Sequence, residues 1–129
     1  MAKRRAAQNV RSHPGPVPAV AVRPLLSARQ AAELMRLFKV FSNITRLRLL
    51  HALVRQDEMC VTELAVAVGM KPQAVSNQLQ RLVDRGILSR RRNATNIYYR
   101  VVDPCVRVLL DRGLCLIECW PEDAATTKE

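Results

Sequence analysis

Between Cys60 and Arg85 the spacing of apolar positions predicts two short helices with a tight break between them. In the first, Val61, Leu64, Ala65 and Val68 recur at helical intervals. Gly69 follows, where a left-handed C-terminal residue is wanted. Pro72 stands where a first helical residue would, since its fixed φ suits that position and its missing N–H costs nothing there. In the second helix Val75, Leu79 and Leu82 make one face, with Val83 on its edge, while Gln73, Ser76, Asn77 and Gln80 make another. That second face carries amides and a hydroxyl, with no acid and no large apolar group. Amides can bond an adenine edge bidentately, so such a face can read bases. The plain alternative is the solvated side of an ordinary helical bundle. Two helices joined by a short glycine-containing turn, the second with a neutral polar face, form the pattern of a helix-turn-helix.

The flanks extend the pattern. Ser27 is a good N-cap, and Leu34, Leu37, Phe38 and Phe41 then recur on one helical face. Asn43 can cap a second helix in which Ile44, Leu47, Leu50 and Leu53 are expected to face inward. His51 is a lone histidine on that helix, read as a surface or structural residue. After Gly86 come two β-prone runs, Ile87–Arg92 and Ile97–Val102, separated by the turn formers Asn93, Ala94, Thr95 and Asn96. They predict a hairpin whose arginines, Arg91 and Arg92 among them, can lie along phosphates as a wing. Asp103 and Pro104 then start a last helix that is apolar over more than one face, with Trp120 and Pro121 at its close. A small domain covers such a helix most simply by packing it on a second copy, and two-fold dimers are the commonest assembly.

The fold expected is therefore mainly α with a small β-hairpin, a winged helix-turn-helix of about five helices and a two-stranded wing. It should occupy residues 25–121, between a basic, proline-containing tail over 1–24 and a polar end over 122–129. Composition narrows the partners. Of 129 residues 49% are hydrophobic but only 4% aromatic, so the core must be aliphatic. The net charge of +10 favours polyanions, of which double-stranded DNA is the one a helix-turn-helix fits. No window reaches the roughly eighteen apolar residues of a membrane span, and no apolar run follows Lys3, Arg4 and Arg5 as a secretory signal would require. A reducing cytoplasm is expected, where cysteines serve as thiols or metal ligands. No cysteine has a nearby histidine or a CxxC partner to activate it, so a thiol enzyme is not the reading.

On these residues the chain resembles the ArsR/SmtB family of bacterial winged-helix repressors. The resemblance runs from about Ser27 to Trp120. It is carried by Leu37 to Leu50 (LFKVFSNITRLRLL), by Glu58 to Ala65 (EMCVTELA), by Val75 to Leu79 (VSNQL), and by Gly86-Ile87-Leu88, Arg91-Arg92 and Tyr98-Tyr99-Arg100 in the wing. It implies a homodimer built on the first and last helices. It also implies operator binding relieved by a metal, metalloid or redox signal. Lys71, Gln73, Ser76, Asn77, Gln80, Arg91 and Arg92 are the expected DNA contacts. Two positions depart from the family's pattern: Thr62 stands where the box often has a second cysteine, and Gln78 where a histidine is common.

The inducer should meet the cysteines. Cys115 and Cys119 are four apart, on one helix face with Cβ atoms about 5–6 Å apart, and two thiolates that close can share a soft ion. Cys105, in the first turn of that helix, is expected to gain thiolate character from the helix dipole. The resemblance places a ligand at Cys60. Two ligand sets stay open: Cys60 with Cys115 and Cys119, preferred because it uses the box cysteine, or Asp103 and Cys105 with Cys119 of a second copy. A sulfur site points to a thiophilic ion of the mercury(II), arsenic(III), cadmium or copper(I) class, with mercury(II) favoured, and to no organic cofactor. The alternative is the same repressor module using its thiols as a redox or persulfide sensor.

Overall fold

A computed structural model describes residues 19–119 of the chain. The N-terminal residues up to 18, the predicted close at Trp120 and Pro121, and the segment 122–129 lie outside the described residues. After a short 3-10 helix at Val20–Val22, the described residues form five helices and three short strands. Their order is α1 (Ala28–Phe41), α2 (Ile44–Gln56), β1 (Met59–Cys60), α3 (Val61–Val68), α4 (Pro72–Asp84), β2 (Leu88–Asn93), β3 (Asn96–Val101) and α5 (Pro104–Glu118).

The helix boundaries follow from the capping residues. Ser27 and Gln30 close a reciprocal capping box on α1, the Gln30 N–H donating to Ser27 Oγ at 3.1 Å and the Ser27 N–H to Gln30 Oε1 at 3.0 Å. Asn43 Oδ1 accepts from the Arg46 N–H at 3.0 Å and starts α2. Helix α3 ends on Gly69 at φ 67, and the Met70 N–H returns to the Ala65 carbonyl at 3.0 Å. Pro72 then opens α4 at its first position.

The core is aliphatic. Leu49, Leu50 and Leu53 of α2, Leu64 and Val68 of α3, and Val75, Leu79 and Leu82 of α4 interlock beneath Leu88 and Tyr99 of the sheet. The α2 stripe differs from the expectation. Ile44 is exposed and Leu47 borders a groove, while Leu49 takes the inward place, because the stripe that meets α3 and α4 is 49, 50 and 53. The first helix also differs. Leu34, Leu37 and Phe38 face outward from the single chain, and only Val40 of α1 is buried.

The wing is three-stranded. β3 lies between β2 and β1, both antiparallel to it, with Arg91 opposite Tyr98 and Tyr98 opposite Cys60. The two residues of β1 use the backbone edge of β3 that a hairpin alone would leave open. At the tip, Ala94 and Thr95 link the paired Asn93 and Asn96, and Ala94 takes φ 59. No helix among the described residues is long and apolar enough to cross a membrane.

Because Leu79 is wholly buried between α4 and its neighbours, Leu79→Ala is expected to cost about 2–5 kcal/mol, read as a fall in the urea midpoint at unchanged m-value.

Candidate nucleic-acid interface and thiol site

Helix α4 is anchored by its apolar face, which leaves the predicted polar face outward. Lys71, Gln73 and Asn77 are exposed, and Ser76 and Gln80 are half-buried. Gln73 Nε2 donates to Asn77 Oδ1 at 3.2 Å. The bridge does not engage the Gln73 carbonyl oxygen or the Asn77 amide N–H groups, an acceptor and a donor set of the kinds that pair with base edges. Gln80 is engaged at both ends. Its Nε2 donates to Asp84 Oδ1 at 2.8 Å, and its Oε1 accepts from Arg90 Nη1 at 2.7 Å. On the other flank of α4, Arg46 Nη1 donates to Gln78 Oε1 at 2.9 Å while Arg46 Nε donates to the Val40 carbonyl at 2.7 Å. Sequence reading marked Gln78 only as a departure from the family's pattern and gave Arg46 and Arg90 no part in this frame, since Arg46 meets Gln78 across 32 residues and Arg90 meets Gln80 only once the wing folds back on α4.

The wing arginines divide by strand alternation. Leu88, Arg90 and Arg92 share one face of β2, and Arg92 is exposed. Arg91 points to the other face, where it crosses the ring of Tyr98 at 5.2 Å and reaches Glu58 beyond. Both contacts to that carboxylate, Nε to Oε2 and Nη2 to Oε1, are 2.8 Å long. Hydrogen bonding to Glu58 holds the Arg91 guanidinium above its ordinary pKa. The pair fastens β2 to the residue that precedes β1, across the central strand.

The cysteines fall into two environments. Cys60 is buried at the start of α3, where its N–H donates to Glu63 Oε1 at 3.0 Å and its sulfur lies 3.4 Å from Thr62 Oγ1. Cys105, Cys115 and Cys119 are exposed on α5 or at its end. The Cys115 and Cys119 sulfurs are 3.6 Å apart. The expected convergence of Cys60 on that pair does not occur within one chain: among the described residues, no three His, Cys, Asp or Glu side chains gather as a metal site. The reason is placement, since Cys60 is sealed between the sheet and α3 while the pair lies on open surface. Cys105 departs from its expectation too. Asp103 caps α5 by accepting the Cys105 N–H at 2.8 Å, and its carboxylate also hydrogen-bonds the thiol and raises its pKa. Around the thiols, α5 exposes Val108, Leu109, Leu114, Leu116 and Ile117. A groove of about 330 Å³ separates its Leu109, Leu110 and Leu114 from Leu47 and His51 of α2.

This is a winged helix-turn-helix domain with an exposed, cysteine-bearing terminal helix. A sequence model of the MarR family matches residues 43–96, the helix-turn-helix and the wing as far as the first residue of β3. A transcriptional repressor SmtB homolog of Synechocystis sp. is 38% identical over 79 residues, which cover 61% of this chain and 59% of that protein. The chain spans about six-tenths of the length of the first curated relatives it matches. The crystal structure of the AntR antimony-specific transcriptional repressor is similar at 60% identity and a TM-score of 0.71, covering 81% of this chain and 94% of that one. A homodimeric winged helix-turn-helix DNA-binding domain from Mycobacterium bovis, described as a possible ArsR-family regulator, is 32% identical with a TM-score of 0.61, over 74% of this chain and 91% of that one. The chain belongs to the ArsR/SmtB family of winged helix-turn-helix repressors.

Removing the Asp103 charge while keeping its cap tests the thiol assignment. In Asp103→Asn the pH midpoint for alkylation of Cys105, followed by peptide mass spectrometry, is expected to move down, because the carboxylate that favours the protonated thiol is gone. An unmoved midpoint would assign the raised pKa to another cause.

Proposed function

We propose that the protein is a dimeric transcriptional repressor that binds operator DNA through α4 and the wing, and releases it when a soft trivalent metalloid is captured by thiolates of α5. The observation that carries the sensing half is the exposed Cys115–Cys119 pair, with sulfurs already 3.6 Å apart on a helix whose apolar surface awaits a partner. Two ligands are thus preorganised, and ordering them costs little. A third cannot come from Cys105 of the same chain, which lies ten residues away and so about 15 Å along the helix. Cys105 and Cys119 lie on roughly the same side of α5, so α5 packed antiparallel on its copy carries Cys105 of one chain towards the pair of the other. The set becomes Cys105, Cys115 and Cys119, with Cys60 left as a core residue.

Three thiolates neutralise a trivalent ion, which avoids leaving net charge at an apolar interface. This favours the antimony(III) and arsenic(III) class over mercury(II), which the two-sulfur pair alone would satisfy. The high similarity to an antimony-specific repressor supports the same choice. The homodimeric neighbour supports the assembly.

On DNA, Lys71 and Arg92 contact phosphates while Gln73, Ser76, Asn77 and Gln80 face the bases. Arg91 supports the wing, since Glu58 occupies its guanidinium. A dimer must set its two α4 helices about one helical turn of DNA apart. An ion bridging the α5 helices acts on that spacing by linkage: it favours the dimer geometry in which its third ligand is in place, and a coupling of about 1–3 kcal/mol loosens the operator.

Asn77→Ala is expected to weaken operator binding by about 1–3 kcal/mol while leaving random duplex unchanged, measured by fluorescence anisotropy. Equal losses on both would remove Asn77 from base readout. Cys105→Ser, Cys115→Ser and Cys119→Ser should each keep DNA binding and lose release by antimonite, whereas Cys60→Ser should keep both. Release by peroxide or persulfide with none by antimonite would establish the redox alternative.

A further inference from the structure

The C-terminal ends of α1 and α4 enclose a cleft of about 270 Å³ lined by Lys39, Arg46, Arg81 and Arg85. Its single carboxylate, Asp84, already accepts from Gln80. Arg46 is committed to the Val40 carbonyl and Gln78, so it contributes charge and a fixed wall. Lys39, Arg81 and Arg85 are exposed, and their side chains make no hydrogen bond or ion pair among the described residues. Lys39 in the last turn of α1 and Arg81 in the last turn of α4 each suit their own helix dipole, and the meeting of the two helix ends gathers these charges on one cleft. Four like charges around one cleft repel, and an arriving anion relieves the repulsion.

The position of the cleft says which anion. At about 100° per residue, Arg81 and Arg85 lie about 80–120° round α4 from Gln73, on the flank held by Arg46. Gln80, bonded to Arg90 of the wing, lies about 20° from Gln73 on the polar face, so the two arginines are about 100–140° round the helix from the point the wing holds. A helix in the major groove has a sugar–phosphate wall on either side. The cleft borders the side of α4 turned away from the wing, where one such wall would run.

We propose that this cleft, built by Lys39, Arg81 and Arg85 over Arg46, seats a backbone phosphate of duplex DNA on the side of the recognition helix away from the wing. It rests on the reading of the protein as a DNA-binding dimer. Guanidinium forks suit phosphate oxygens, and Lys39 adds a point charge. The contact adds affinity and fixes the helix in the groove without reading sequence.

The test is the salt dependence of binding, for wild type and Lys39→Gln/Arg81→Gln/Arg85→Gln, to a random-sequence duplex and to a duplex selected by the wild-type protein. The proposal expects the slope of log K against log salt to become shallower by about 0.9 or more in the triple variant, with equal fold-losses on both duplexes. Lysine at positions 81 and 85, Arg81→Lys/Arg85→Lys, should keep the wild-type slope. Lys39→Gln alone repeats the measurement without altering α4, and matched denaturant midpoints verify folding. An unchanged slope in the triple variant, or a loss confined to the selected duplex, overturns the cleft as a phosphate seat. If wild type itself binds neither duplex at low salt, the repressor reading fails first, and the two failures are distinct.

Discussion

The recognition helix is held by burial below and by arginine at both sides. Val75, Leu79 and Leu82 are completely removed from solvent, which fixes the rotation of α4 about its axis. Arg46 reaches Gln78 from the α2 side and Arg90 reaches Gln80 from the wing. Any error in that rotation would turn the Gln73–Asn77 pair, so the direction of the polar face depends on aliphatic packing on the far side of the helix. Arg46 also bonds the last carbonyls of α1. The helix that leaves Leu34 and Phe38 exposed is therefore tied directly to α4.

The wing is braced in the same manner. Arg91 spans the sheet, crossing Tyr98 and gripping Glu58 with two parallel hydrogen bonds. Partly exposed ion pairs contribute little to stability on their own, but a bidentate geometry over an aromatic ring has directional value. It sets the angle at which β2 leaves the domain and hence where Arg92 lies.

Much of this was legible in the chain. Helical periodicity, caps and the Gly69–Pro72 break located α3 and α4, because those signals act within a few residues. The turn formers at 93–96 located the hairpin for the same reason. What the sequence did not yield depends on distance. β1 is two residues long, too short for any period, and exists because β3 had an edge to offer. Leu49 replaced Leu47 in the core through the choice of neighbour for α2. Cys60 matched a box position yet lies buried away from Cys115 and Cys119, whose own proximity was readable from a spacing of four. The pairing of Arg91 with Glu58 joins residues 33 apart, and no local pattern marks it.

The hairpin tip differs in kind from its root. Ala94 adopts a backbone conformation that costs a residue bearing a Cβ about 1 kcal/mol or more, whereas at the far end Leu88 is buried in the core and Val101 packs half-buried against it. That penalty is relieved as soon as the turn opens, so fraying begins at the apex and is arrested at the base. The hairpin thus concentrates its backbone strain at the extremity and its packing at the root, so a turn residue free of a Cβ at position 94 would relieve the one without loosening the other.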